Sequence, residues 1–164
     1  MGMFNIIKTL SDANIEYVLV GGLAVALHGY QRVTMDVDVV LAMKQENIQR
    51  LIACAKAADL RPVISVNIDA LAQPELIEQW YNEKGKLAFG LRGSETMATV
   101  MDVLVKSVVP FSDLRRDATI IEIGALKVPV ASIEHLIAMK THTGRSKDVI
   151  DIEELRKIQA GKSP

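Results

Sequence analysis

Hydrophobic positions along the chain repeat with two periods, and each change of period marks an element. Phe4, Ile6, Ile7 and Leu10 fall at near-helical spacing, so the first dozen residues predict an amphipathic helix. Tyr17–Val20 is a short apolar run of strand length that enters Gly21-Gly22 directly. Residues 23–28 form an Ala-rich helical stretch stopped by Gly29. Val37, Val39 and Leu41 then alternate with Asp36, Asp38 and Val40, the period of a strand with one polar and one apolar face. Residues 44–58 carry Ile48, Leu51, Ile52 and Ala55 on one helical stripe.

The second half continues the mixture. Residues 69–80 read as helical on either side of Pro74, with Leu76, Ile77 and Trp80 on the apolar face. Residues 86–91 and 100–105 predict strands, and Thr119–Ile123 with Leu126–Val130 predicts a hairpin around Gly124-Ala125. Ser132 caps a helix holding His135 and Leu136, and residues 148–159 predict a last helix. This order, with a late hairpin in place of regular strand–helix alternation, predicts an α+β fold with a small mixed sheet flanked by helices. No repeat or Pro/Ser-rich linker divides residues 1–164, so a single domain is expected.

Composition narrows the function classes. With 164 residues, 49% of them hydrophobic and 24% charged, the chain can bury a sizeable core. A net charge of −1 gives no global attraction to nucleic acid or membrane, so any phosphate site must be a local arrangement. The apolar runs are too short to span a bilayer, and the N-terminus lacks the features of a signal peptide or a myristoylation motif. The single cysteine, Cys54, reads as a small hydrophobe of the helical pattern, and the cytoplasm is the expected compartment.

Candidate chemistry concentrates in residues 20–39, VGGLAVALHGYQRVTMDVDV. A strand ends there in a glycine pair, where the lack of a Cβ lets backbone N–H groups approach an anion. Asp36 and Asp38 follow, two apart on a strand and therefore on the same face. Two adjacent carboxylates raise each other's pKa unless a hard cation neutralises them, and oxygen donors suit Mg²⁺. A third acid, Asp102, interrupts the apolar strand Val100-Met101-Asp102-Val103-Leu104-Val105, where an unpartnered carboxylate is costly. If that strand neighbours the first, Asp102 completes a two-metal phosphoryl-transfer set.

This order of an apolar strand, Gly-Gly, Arg32-x-Thr34-x-Asp36-Val37-Asp38 and a later strand with one Asp resembles the nucleotidyltransferase superfamily that includes DNA polymerase beta. Within it the chain is similar to the minimal nucleotidyltransferases and the AbiEii-type toxins of toxin–antitoxin systems, and small lincosamide adenylyltransferases share the layout. The resemblance implies an NTP substrate, ATP foremost, and two Mg²⁺ ions held by Asp36, Asp38 and Asp102. It also implies a triphosphate site at Gly21 and Gly22, with Arg32 and Thr34 near phosphate or a carboxylate. Lys140, Arg145, Lys147 and Asp148 match the polar cluster of the group's terminal helices, whose cations imply phosphate or nucleobase contacts, and residues 59–93 match no part of the group. The acceptor could be RNA, a protein or a small molecule, and a cognate antitoxin is an implied partner.

Other residues carry blander readings. His28, His135 and His142 lack zinc spacing and read as capping or surface histidines. Trp80 and Tyr81 read as buried face rather than as a stacking platform. The rival to an enzyme is a non-catalytic nucleotide-binding or antitoxin module that keeps the fold. The intact set of three acids argues against it.

Overall fold

A computed structural model describes residues 1–85, 88–95 and 97–161. The chain begins with α1 (Met3–Asp12), β1 (Tyr17–Val20), α2 (Gly21–Leu27), β2 (Asp36–Leu41) and α3 (Gln45–Ala57). It continues through β3 (Arg61–Pro62), a 3-10 turn (Ile68–Ala72), α4 (Pro74–Lys84), β4 (Ala88–Arg92) and β5 (Val100–Leu104). α5 (Phe111–Arg116), the hairpin of β6 (Thr119–Ile123) and β7 (Leu126–Val130), α6 (Ile133–Thr143) and α7 (Ser146–Gln159) complete it. Seven strands form one mixed sheet in the order β3-β4-β5-β2-β1-β7-β6.

The mixed helix and strand order is thus the one the periodicity predicts, with differences that have local causes. Pro74 does not interrupt a helix but opens α4 at its first turn, where a missing N–H costs nothing. Gly21 and Gly22 begin α2 instead of preceding it. Strand β4 is described from Ala88, so positions 86 and 87 of the expected strand lie outside the described residues. Neither β3 nor α5 is predicted by the pattern. The first has two residues, and the second is one and a half turns between Pro110 and Asp117.

β2 lies inside the sheet, antiparallel to β1 and parallel to β5. Its alternation sorts the faces. Val37 and Val39, with Met101 and Val103 of β5 and Phe89 and Leu91 of β4, are buried in the core, which also takes Ile6, Ile7 and Leu10 of α1 and Ile48, Leu51 and Ile52 of α3. Asp36, Asp38 and Asp102 occupy the opposite, partly open face. On that side α6 packs against α7 and touches α2.

One buried amide fixes how α3 enters. Asn47 is fully buried, accepts from Glu16 N at 2.8 Å, and donates to Glu16 O and Ala42 O at 2.9 Å each. It therefore clamps the residue before β1 and the residue after β2 to the first turn of α3. Asn47→Ala removes the side-chain partners of Glu16 N and Ala42 O, while Glu16 O keeps its bond from Ala42 N, and is expected to cost about 1–3 kcal/mol. Urea unfolding checks this: the midpoint should fall with the slope unchanged, and a variant as stable as the parent would remove the clamp from the account.

Candidate active site

The register of β2 and β5 decides the site. Asp38 lies directly beside Asp102 across the parallel pair, and Asp36 beside Val100, so three carboxylates share one face of two adjacent strands. All three line a cavity of about 710 Å³, within the range of small-molecule sites. Burial raises the Asp38 carboxyl to about 6, and the charges of Asp102 and Asp36 push the same way against the opposing pull of Lys140 and Lys147. Burial likewise raises Asp102, with Asp36 adding to it. The acids thus sense one another without a countercharge among them.

Gly21 is required by its neighbour, and Gly22 stands close to two more side chains. Gly21 has φ +71°, and a Cβ there would stand 2.1 Å from Asp38 Oδ2, inside its van der Waals shell. A Cβ on Gly22 would come within 3.0 Å of Thr34 Oγ1 and 3.4 Å of Arg32 Cζ. The glycine pair leaves room for an acid, a hydroxyl and a guanidinium in one corner of the cavity.

Facing the acids is a wall built by α6 and α7. Asp148 and Asp151 are buried one helical turn apart on α7. Asp151 Oδ2 accepts from Lys140 Nζ at 2.8 Å and from Arg32 Nη1, so one oxygen joins a residue near the glycine pair to the end of α6. Asp148 accepts from Thr143 Oγ1 at 2.8 Å and from Arg145 Nε at 2.9 Å and N at 3.1 Å, with Lys140 Nζ at 3.5 Å. Burial alone would raise Asp148. The Arg145 and Thr143 hydrogen bonds and the Lys140 charge outweigh it and hold the carboxyl down at about 2.

The sequence-predicted residues Asp36, Asp38, Asp102, Gly21, Gly22, Arg32, Thr34, Lys140, Arg145 and Lys147 therefore all line the same cavity. They differ in availability. Lys140 is buried between Asp148 and Asp151, and Arg32 is paired with Asp151, whereas Arg145 and Lys147 stay exposed at the rim. Asp148 belongs to the polar cluster that the family resemblance pointed to, while Asp151 is the residue that reasoning from sequence passed over. Their signal is the i, i+3 spacing with Leu155 on the buried stripe of α7, which puts acids where an apolar residue is expected.

The histidines divide. His28 Nε2 hydrogen-bonds Ala131 O at 2.8 Å, a structural role, and His142 stands exposed at the cavity edge. Trp80 and Tyr81 also part. Trp80 packs on Phe89 with centroids 5.1 Å apart, while Tyr81 lines the cavity beneath Lys106 at 5.2 Å. Among the described residues no three His, Cys, Asp or Glu side chains are already gathered tightly enough to grip a cation. The donor set on this face is nonetheless all carboxylate oxygen, the chemistry that suits Mg²⁺, and Asp38, raised chiefly by burial and further by Asp102 and Asp36, would gain from such a cation. Among the described residues no helix is long and apolar enough to cross a membrane.

Two outcomes follow from this geometry. Gly21→Ala is expected to displace Asp38 and to lose at least about 1 kcal/mol, because alanine at positive φ is strained even before the clash. Calorimetry reads the loss, and an unchanged melting curve would contradict the close approach. The second concerns pH. A carboxyl whose folded pKa exceeds its unfolded value destabilises the fold when it ionises, so stability is full below about 4, declines between about 4 and 6, and stays lower above. For Asp38 the shift corresponds to roughly 3 kcal/mol at most. Asp38→Asn should therefore be more stable than the parent at pH 8 and no more stable at pH 4, as measured by urea midpoints at the two values.

The family model described as nucleotidyl transferase AbiEii toxin, type IV TA system, matches residues 6–163. No curated protein sequence matches the chain. Among solved structures it is similar to lincosamide antibiotic adenylyltransferase LnuA with lincomycin bound, at 18% identity and TM-score 0.63, covering 96% of each chain. It is also similar to ANT(2″)-Ia in complex with adenylyl-2″-tobramycin, at 13% identity and TM-score 0.57, covering 97% of this chain and 93% of that one. An antigenic nucleotidyltransferase-like protein from Paracoccidioides brasiliensis shares 20% identity with TM-score 0.52, over 93% and 71% of the two chains. These likenesses show the fold. The family match, which runs through the glycine pair, the three acids and the α6–α7 wall, shows the class: the chain belongs to the AbiEii family of toxin nucleotidyltransferases.

Proposed function

We propose that this nucleotidyltransferase moves a nucleoside monophosphate from an NTP, ATP foremost, onto an acceptor hydroxyl in a Mg²⁺-dependent reaction. The observation that carries the reading is the grouping of Asp36, Asp38 and Asp102 on one sheet face opposite a cationic wall. Asp36 and Asp38 would hold Mg²⁺, and Asp102 would complete the set for a second ion. When bound, Mg²⁺ neutralises charge on the triphosphate and the leaving pyrophosphate.

The chain's own residues do the rest. Gly21 and Gly22 leave the phosphates room beside Asp38, and Arg145 and Lys147 at the rim meet their charge. Thr34 offers a hydroxyl in the same corner. Lys140 and Arg32 act through Asp151, which fixes both cations on the wall and limits their reach into the cavity. Asp102 takes the proton as the acceptor oxygen attacks the α-phosphorus. The new O–P bond forms, the α–β bridging P–O bond breaks, and pyrophosphate leaves with the electron pair. Catalysis of this kind rests on positioning and charge complementarity, which a few carboxylates and a glycine corner can supply.

The chain is proposed to act as one domain over residues 1–164 in the cytoplasm, held in check by a cognate antitoxin as its family implies. RNA, a protein and a small molecule are the acceptor classes, with the small drugs of LnuA and ANT(2″)-Ia as precedents for the last. Incubation of the full chain with Mg²⁺, α-labelled NTPs and cell extract should move label into one of the RNA, protein or small-molecule fractions. Asp36→Ala/Asp38→Ala should lower that transfer at least about 100-fold, and so should chelation of Mg²⁺. Label transfer that survives both treatments would defeat the proposal.

A further inference from the structure

Asp102 borders two hollows. Besides the large cavity it lines a second pocket of about 170 Å³ on its β4 side, together with Val63, Ile64, Trp80, Ala88, Gly90 and Val100. The pairing of β4 with β5 explains why space exists there. Gly90 faces Asp102 across the strands, and its nearest same-face neighbour along β4 toward α4 is Ala88, so the strand presents almost no bulk on that side. A Cβ on Gly90 would stand 3.1 Å from both Asp102 Oδ1 and Val63 Cγ2, closing the gap between the acid and the lip.

The pocket is built. Val63 N donates to Gly90 O at 2.9 Å, which pins the lip to β4. Trp80 is held against Phe89 on the other side, and its indole N–H is buried with no partner among the described residues. Val63 and Ile64 remain 44% and 39% exposed, apolar surface at the mouth of an apolar hollow.

Size and lining define an occupant. At about 170 Å³ and open on one side, the hollow has room for a group of the size of one ring rather than for a polymer chain. The described walls are aliphatic and aromatic apart from one carboxylate. An uncharged ring buries apolar surface there with its hydroxyl toward Asp102, whereas a phosphodiester chain needs cations around it.

We propose that this pocket is the acceptor subsite and that it takes a free, uncharged cyclic alcohol whose hydroxyl reaches Asp102 from the side opposite the nucleotide. The assignment rests on the nucleotidyl-transfer reading above. It makes β3, the 63–66 stretch and the start of β4 the segment that selects the acceptor.

Trp80 is the only tryptophan, so its fluorescence reports on the pocket directly. The full chain with Mg²⁺ and a non-hydrolysable ATP analogue would be titrated with cyclohexanol and, separately, with a short single-stranded oligonucleotide and a tyrosine-containing peptide. A saturable response to cyclohexanol of about millimolar affinity is expected, at least about tenfold weaker in Gly90→Val, with binding of the ATP analogue kept within about twofold. Val63→Phe, at the exposed lip, should give the same selective loss should Gly90→Val fail to fold. No saturable response to cyclohexanol, a response kept in the folded variants, or a response to the oligonucleotide or peptide alone would overturn the proposal. Failure of the parent chain to bind the ATP analogue with Mg²⁺ would instead strike the transfer reading, and the subsite with it.

Discussion

Three carboxylates on two adjacent strands cannot all ionise comfortably without a countercharge, and the parallel pairing of β2 with β5 forces that situation on this fold. Asp38 is the most burdened, buried and flanked by both of its fellows. The surrounding structure answers this strain only in part. Lys140 and Lys147 lower the Asp38 carboxyl without bringing it back to the ordinary range, and Gly21 gives it space in place of a charge. A face arranged in this way has free energy to gain from a polyvalent cation and from the phosphates such a cation brings with it.

The opposite wall solves the converse problem. Its cations stand close together, and Asp148 and Asp151 hold them there. The second of these acids spans Arg32, just after α2, and Lys140, near the end of α6, so a single carboxylate joins the glycine corner to the C-terminal helices. Buried ion pairs of this kind add little net stability, since desolvation offsets much of the attraction. Their value lies in geometry: Asp151 fixes Arg32 against Lys140, and Asp148 fixes Arg145 and Thr143 beside them. The electrostatics of the cavity are therefore set by pairs that never need to touch a ligand.

How much of this the sequence revealed depends on the length scale of each feature. The alternation of Asp36, Val37, Asp38 and Val39 is strand periodicity in plain form, and the lone acid in residues 100–105 stood out against an apolar run. Their meeting on one face follows once the strands are neighbours. The hairpin and the Ser132 cap, whose hydroxyl accepts from His135 N at 3.1 Å, were legible from turn and cap chemistry. The short β3 and α5 were not, because two residues carry no period and six scarcely outlast helix nucleation. Asp151, and the burial of Asp148 beside it, were hidden for another reason. Acids three apart among Lys147, Glu153 and Glu154 look like a solvated helix face until tertiary packing turns them inward. The steric demand of Asp38 on Gly21 likewise joins residues on different elements, and no local pattern announces it.

The tie between Arg32 and Asp151 also orders events in time. It joins positions 119 residues apart, and the β2–β5 pairing joins others more than sixty apart. Because synthesis proceeds from the N-terminus, the glycine corner and the first two acids emerge long before the strand and helices that complete them. A nascent chain therefore carries no assembled cavity until α7 has left the ribosome. Topology thus makes the wall that faces the acids the last part of the cavity to be made.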